Sequence, residues 1–445
     1  MAYSFKGGLH IEDNKTYTNS LPIYVLDGVS EHVFPLQQHI GAPAKPIVEV
    51  GSYVKVGTKI ADSDAFISAP IHSSVSGTVT AIEKRLHPNG AMVQSIIVAN
   101  DGQYFIDENV TPKGELCDLS PEEIVKIVRE AGIVGMGGAT FPTHVKLSPP
   151  KDKKIEYVIV NGAECEPYLT SDHRVLLEMP DMVLFGLQVA MRALGLDKGH
   201  IAIEQNKPDA ILLIEEKLKQ DDYKDIKLCE LRTKYPQGSE KQLIQAITGR
   251  EVPSGALPAD VGVVVINVDT AVAIATAIKT GMPSIRRIVT VSGDAVSKPA
   301  NFEVRLGVSF SYLFEKAQGF IKEPEKIIMG GPMMGQAQES TDVPVIKATS
   351  ALLAFSSDMV VYDEDDACIR CGKCVESCPM KLMPLYLNMY AQHSEWEMCE
   401  KYNVLDCIEC GVCSYLCPGR RHPVQNIRIA KQKVLELKRE RDALK

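Results

Sequence analysis

The chain has 445 residues, more than one hydrophobic core ordinarily organises, so three or four domains are expected. Its apolar share of 45% and charged share of 24% are those of a soluble globular protein, and a net charge of −9 argues against nucleic acid as a partner, because phosphate binding needs a basic face. The opening residues hold no apolar core of signal-peptide length, and the best candidate membrane span, 261–278, is interrupted by Asn267, Asp269 and Thr270. The expectation is a cytoplasmic chain without a transmembrane segment, whose twelve cysteines are reduced.

Residues 48–79 alternate short apolar strands with Gly51, Gly57 and Gly77, which describes a small all-β sandwich. The pattern resembles the barrel-sandwich hybrid of biotinyl and lipoyl carriers. Those carriers present a modifiable Lys on a hairpin tip, where this chain reads Asp62-Ser63-Asp64-Ala65, so the unit is expected to be structural. From about 120 to 278, helices and strands alternate as in an α/β layer fold. Ser120 caps a helix over 121–131 with Glu123 closing a capping box. Strands follow at 155–160 and 201–204, and a helix runs on to 219. The segment 261–278 reads as a buried strand, a polar turn and a helix start. Residues 288–329 give strand, strand, helix, strand. That order resembles a β-grasp module, with Gly330-Gly331-Pro332 as a closing turn. An acidic linker at 363–366 leads to the cysteine-rich stretch. Residues 427–445 form an amphipathic helix with seven basic and three acidic side chains, better explained by a solvated face than by an anchor.

Nine of the twelve cysteines lie within one fifty-residue stretch. Cys368-Ile-Arg-Cys371-Gly-Lys-Cys374-Val-Glu-Ser-Cys378-Pro379 is a complete bacterial-ferredoxin run. Cys407-Ile-Glu-Cys410-Gly-Val-Cys413-Ser-Tyr-Leu-Cys417-Pro418 repeats it. Three thiolates of each run wrap one four-iron–four-sulfur cube, and the fourth reaches the other cube. Cys368, Cys371, Cys374 and Cys417 are therefore expected to hold one cluster, and Cys407, Cys410, Cys413 and Cys378 the second. Zinc usually takes two separated Cys pairs and does not need the Cys-Pro ending twice. The Leu-, Met- and Tyr-rich insert between the runs favours an α-helical ferredoxin domain. Cys399, Cys117 and Cys229 are expected to be buried thiols.

Gly135-Met-Gly137-Gly138-Ala-Thr-Phe141-Pro-Thr-His-Val-Lys146 is a glycine-rich loop ending at a lysine. Bare backbone N–H groups and one cation suit a phosphate, although the loop alone fits a plain turn equally well. Asn161-Gly-Ala-Glu164-Cys-Glu166-Pro167, Tyr235-Pro-Gln-Gly238-Ser-Glu240 and Asn267-Val-Asp269-Thr270 follow it. Together the four segments resemble, in order, the flavin loops of the NADH-oxidising subunit of respiratory complex I. With Phe5-Lys-Gly-Gly-Leu-His10, the barrel-sandwich and the double cysteine run, nearly the whole chain resembles the RnfC family, the C subunits of Rnf electron-transport complexes.

That resemblance implies a multidomain α/β protein. Its parts are an N-terminal region with a barrel-sandwich hybrid (1–115), an α/β FMN- and NAD-binding domain (116–284), a β-grasp module (285–345), a two-cluster α-helical ferredoxin domain (346–426) and a basic helix (427–445). It implies non-covalent FMN, with Gly135, Gly137, Gly138 and Lys146 on its phosphate side and Asn161, Glu164, Tyr235, Gly238, Asn267 and Thr270 lining it. Phe141, Glu166 and Glu240 match positions that contact NAD(H). Met136, Ala163 and Cys165 depart from the complex I pattern, where Arg, Asp and Gly stand. His144 and His173 are expected to be structural, since hydride transfer to a flavin needs no protein base at the reacting carbon. The implied activity is ferredoxin–NAD oxidoreduction coupled to Na⁺ or H⁺ transport, on the cytoplasmic face of the membrane. The implied partners are the other components of the complex and ferredoxin or a ferredoxin-like protein within it. The related flavin-loop subunit of the Na⁺-translocating NADH–quinone reductase is a poorer match because it lacks the cysteine runs. A wiring subunit with clusters and an empty flavin site is the rival of another class. Anaerobically prepared protein should contain about eight iron and eight acid-labile sulfide per chain, and Cys417→Ser should damage the cluster of the first run. Zinc without sulfide would overturn the cluster reading.

Overall fold

The computed structural model describes residues 2–360 and 366–443, so of the expected acidic linker only Asp366 lies among them. The α/β layer is built on a parallel sheet in the order Ile226–Leu231, Gly199–Glu204, Tyr157–Gly162, Val263–Asn267. Apart from the edge strand Ile226–Leu231, which alternates, its strands are largely apolar because helices cover both faces. Val158, Val160, Ile201, Ile203, Val264 and Ile266 face helices Pro121–Glu130, Pro180–Leu194 and Val268–Thr280. The intervening Ile159, Ala202, Val263 and Val265 pack on the other side with Leu243 and Ile244 of helix Glu240–Thr248. The expected capping box of Ser120 and Glu123 is formed.

Strand order decides where a ligand can enter. The chain steps outward from Tyr157–Gly162 through the next two strands, then crosses back to lay Val263–Asn267 on the opposite side of Tyr157–Gly162. At such a reversal the connections leave in opposite directions and open a crevice beyond the carboxyl ends of the strands. Asn161 and Asn267 are register partners at that crevice.

The N-terminal strands form two small sheets. One runs Glu31–Pro35, Met92–Asn100, Gly77–Leu86, Tyr53–Val54, and the other Lys45–Pro46, Lys59–Asp62, Ile71–His72. They do not close a core alone: Phe34, Ile60, Val79 and Ile96 share one cluster with Val289, Phe302 and Phe310 of the β-grasp module. The β-grasp sheet has the order Ile23–Val25, Ala300–Arg305, Arg286–Ser292, Ala351–Ser356, Pro324–Met329, Gln336–Gln338. Strand Ala351–Ser356 lies in its middle, so the module runs past the boundary expected at 345 and takes its edge strand from the first 25 residues.

Helices Pro384–Gln392, Trp396–Lys401 and Pro423–Ala443 enclose Leu387, Cys399, Val404, Ile427, Ala430 and Val434. The terminal helix begins at Pro423, ahead of the expected 427, because Ile427, Ala430 and Val434 are spaced to face this core. Beyond Val434 it is exposed, as expected of a solvated face. Cys229 and Cys399 are buried as expected, but Cys117 is exposed. It lies in the turn Leu116–Asp118, which crosses the surface before helix Pro121–Glu130 and has no layer above it.

Asn301 is fully buried where three units meet. Its amide donates to the Thr18 carbonyl at 3.2 Å and to Thr170 Oγ1 at 2.9 Å, while its oxygen accepts from Thr290 Oγ1 at 2.7 Å. Replacing it by the similarly sized Leu strands these groups away from water, at about 1–3 kcal/mol for each left unsatisfied. Asn301→Leu should lower the urea midpoint of the cluster-loaded chain by a corresponding amount. An unchanged midpoint would show that the junction is held elsewhere.

Candidate functional site

The four flavin segments converge at the crevice. Thr270 Oγ1 accepts from Met136 N at 3.0 Å and donates to the Val134 carbonyl at 3.3 Å, which stitches the root of the glycine loop to the start of helix Val268–Thr280. Arg287, reaching over from the β-grasp sheet, holds the Met136 carbonyl at 3.1 Å and pairs with Asp269. Asn267 caps the helix by accepting from Asp269 N and Thr270 N, and its amide donates to Asp172 at 2.7 Å. Gly137 passes so close above it that a Cβ there would lie 2.7 Å from the Asn267 amide nitrogen. Gly137, Gly138 and Ala139 are exposed, and a Cβ on Gly138 would meet nothing within 4 Å. A bare loop over a capped helix start is an open cradle for an anion, so these residues fit a flavin phosphate.

Lys146 Nζ lies 2.7 Å from the Glu240 carboxylate and 3.0 Å from the Val265 carbonyl. The cation expected for FMN and the carboxylate expected for NAD(H) are thus adjacent. Asn161 donates to the Gly238 carbonyl at 2.8 Å and accepts from Ala163 N at 3.1 Å, binding the second segment to the third. Glu164, with φ of 47°, turns its carboxylate onto helix Ser171–Glu178, where Asp172 N donates to it at 2.7 Å. Asp172 is buried against Glu164 and Asp269, and burial first, then those two charges, raises its pKa. His144 Nε2 donates to the Phe66 carbonyl at 3.0 Å, and His173 pairs with Asp209 at 2.8 Å, so both side chains are engaged by framework groups.

Glu166 and Tyr235 take partners that the sequence did not suggest. Glu166, expected against NAD(H), accepts from Met333 N at 3.1 Å and lies 3.1 Å from Tyr235 Oη. A Cβ on Gly331 would sit 2.0 Å from its carboxylate. The segment read as a plain closing turn, Gly330-Gly331-Pro332, therefore runs hard against the site, and its paired glycines were the available signal. Burial pushes the Glu166 carboxyl up to about 7. Tyr235, expected along the flavin, is 1% exposed, and its Oη reaches the Cys410 carbonyl at 2.8 Å. A phenol has one hydrogen to give, so with Glu166 protonated the carboxyl donates to Tyr235 and Tyr235 donates to Cys410.

The two cysteine runs repeat one backbone shape. Arg370 and Glu409 have φ of 54° and 56°, Gly372 and Gly411 both have φ of 78°, and helices Lys373–Glu376 and Val412–Tyr415 follow. Cys374 has Cys368, Cys371 and Cys417 as neighbours, while Cys413 has Cys407, Cys410, Cys378 and Cys374. A bacterial-ferredoxin pair of cubes would draw three thiolates from one run and the fourth from the other, and these neighbours are compatible with that. The groups differ in setting: Cys368 and Cys371 are exposed, whereas Cys410 and Cys413 are buried. The second group is pressed onto the flavin layer. Gly8 N donates to the Ser377 carbonyl at 2.9 Å, Gln242 donates to the Pro379 carbonyl at 3.3 Å, and Leu9 packs with Tyr235, Cys410 and Val412. On its far side, Lys431 of the terminal helix donates to the Cys407 carbonyl at 2.7 Å. Gln242 and Lys431 carry no motif and could be found only in three dimensions.

Four family models match in chain order. They are the RnfC barrel sandwich hybrid domain at residues 3–103, the Nuo51 FMN-binding domain at 128–276, the SLBB domain at 288–337 and the 4Fe-4S dicluster domain at 360–418. The C subunit of the Na(+)-translocating ferredoxin:NAD(+) oxidoreductase complex of Acetobacterium woodii is 47% identical over 98% of this chain and 98% of its own length. The chain belongs to the family of C subunits of ion-translocating oxidoreductase complexes. The proton-translocating counterpart of Clostridium ljungdahlii is 48% identical over 97% of this chain and 94% of its own. The C subunit of the ion-translocating oxidoreductase complex of Rhodobacter capsulatus is 41% identical over 98% and 84%. Family membership brings an FMN-binding domain and a two-cluster 4Fe-4S domain, both as expected from the sequence. Among the described residues no helix is long and apolar enough to cross a membrane.

Because the folded chain holds the Glu166 proton up to about pH 7 and the unfolded chain releases it near the ordinary 4.5, this carboxyl stabilises the fold most below the lower value. Its contribution falls as pH rises from there through about 7. Glu166→Gln preserves both hydrogen bonds without a titration. The variant's urea midpoint should lose this part of the decline between about pH 5 and pH 8, and an identical pH profile would place the Glu166 carboxyl in water.

Proposed function

We propose that this chain is the peripheral electron-entry subunit of a membrane-bound, ion-translocating ferredoxin–NAD oxidoreductase, on the cytoplasmic face. Bound FMN exchanges a hydride with NAD(H) and single electrons with iron–sulfur clusters, which is the conversion such a complex requires. The observation that carries the reading is the contact between the two sites: Tyr235, from a flavin segment, hydrogen-bonds the backbone of cluster ligand Cys410. Relatives named for ferredoxin:NAD(+) oxidoreduction support it, and one is named for Na⁺ and another for protons.

The roles divide by position. The bare backbone of Gly135, Gly137 and Gly138 receives the phosphate end of FMN, and Lys146, already poised beside Glu240, supplies its countercharge. Asn161, Gly238 and Asn267 shape the crevice beside the ring, and Glu164 and Thr270 act by fixing the loops. Phe141 and Glu240 are left on the open side for NAD(H). Cys378, Cys407, Cys410 and Cys413 hold the cluster nearest the flavin. Cys368, Cys371, Cys374 and Cys417 hold the outer one, whose exposed ligands present it to the next carrier, a ferredoxin or ferredoxin-like subunit. Tyr235 and Glu166 brace the inner ring.

Anaerobic, cluster-loaded protein should bind added FMN and reduce ferricyanide with NADH. Lys146→Ala should weaken FMN retention by roughly ten- to hundredfold, the loss of one charge-assisted hydrogen bond, and NADH oxidation should fall in proportion. Wild-type FMN retention in that variant would remove Lys146 from the site. No FMN binding by the wild type would leave a wiring subunit.

A further inference from the structure

The barrel-sandwich, read from sequence as structural, is fastened to the glycine loop at two points, one from its hairpin tip and one from the loop after strand Glu31–Pro35. Ile40 N donates to the Thr140 carbonyl at 3.4 Å, and His144 Nε2 bonds the Phe66 carbonyl at 3.0 Å. These fastenings straddle Phe141. The Phe66 ring meets His144 edge-on, with centroids 5.8 Å apart, yet 63% of Phe66 stays exposed, and Ile40 and Ile67 beside it are 50% and 41% exposed. Gly41 lets this ridge close, since a Cβ there would lie 2.1 Å from the Ile67 carbonyl. A rigid aromatic left open next to an exposed glycine loop has the form of a platform for a flat ring.

Charge narrows what the platform accepts. Asp62 is neutralised by Lys59 and Arg129, whereas Asp64 is exposed at the tip, outside that network. A carboxylate there tolerates a ribose hydroxyl and repels an added phosphate. We propose that the barrel-sandwich tip is the wall of the dinucleotide site: Phe66 stacks the adenine of NAD(H), and Asp64 disfavours a 2′-phosphate. This rests on the reading that NAD(H) reacts at the flavin crevice. It gives the domain a substrate-selecting role in place of the carrier role that its missing Lys rules out.

The test separates the two halves of the dinucleotide, using cluster- and FMN-loaded full-length chain. Phe66→Ala should weaken binding of NADH and of ADP-ribose by roughly five- to hundredfold, the range for loss of one base–aromatic stack. Binding of reduced nicotinamide mononucleotide and the maximal rate of flavin reduction should be unchanged, and Phe66→Trp should restore NADH binding. Asp64→Asn should improve NADPH binding a few-fold at low salt, an effect that added salt erases. Equal weakening of NADH and the mononucleotide would make Phe66 a prop for the glycine loop and overturn the proposal. Unchanged NADH binding in Phe66→Ala would also overturn it, leaving the ridge as a surface for another component of the complex. Should wild-type protein show no NADH-dependent flavin reduction, the electron-entry reading itself fails, a result visible before any variant is made.

Discussion

The hydrogen bond from Tyr235 to the Cys410 carbonyl is the point on which the arrangement turns. Electron exchange between a flavin domain and a ferredoxin domain needs a fixed and short separation. Tyr235 supplies it because its backbone belongs to a loop whose Gly238 is bonded to Asn161, while its hydroxyl belongs to the cluster ring. Burial of the phenol, with Leu9, Val412 and Met333 packed around it, keeps water from competing for that bond. Glu166 then has no freedom to wander: with Gly331 against it and Met333 N donating to it, it becomes a second strut.

The same logic explains why the units are so interleaved. The first 25 residues touch three parts, pairing with the β-grasp sheet at Ile23–Val25, with Tyr235 at Leu9 and with the cysteine domain at Gly8. The barrel-sandwich shares its core with the β-grasp module, and Arg287 extends from that module to hold the glycine loop. Interfaces of this kind resist the relative domain motion that smaller, more polar contacts permit. Rigidity suits a protein whose task is to hold carriers at constant spacing. It also leaves Cys368 and Cys371 exposed.

Charge is used sparingly and locally. Lys431 sits on the Cys407 carbonyl beside Glu409, so a half-buried cation stands close to Cys407. Buried carboxyls gather at the root of the flavin crevice, where Asp269 has Arg287 and Glu164 has Lys15 at 3.8 Å. Asp172 accepts from the Asn267 amide, and burial raises its pKa.

What the residues alone determined is the chemistry that follows from fixed spacing along the chain. Two cysteine runs specify two cubes because each run wraps a cluster within one loop, and the glycines at 372 and 411 adopt the same φ as a consequence. The order of the flavin segments, the capping box of Ser120 and the strand and helix at 261–278 were legible for the same reason: their determinants are a few residues apart, although the strand passes into the helix at Asn267 without the expected turn. Only the tertiary structure decided which groups meet across long separations. It set Glu166 between Tyr235 and Met333 N and packed the Gly330-Gly331 bend against its carboxylate. It also drew strand Ala351–Ser356 back into the β-grasp sheet and brought Phe66 to the glycine loop. None of these pairs has a periodicity or spacing to betray it, since close packing constrains volume and hydrogen bonding in space and leaves sequence separation free.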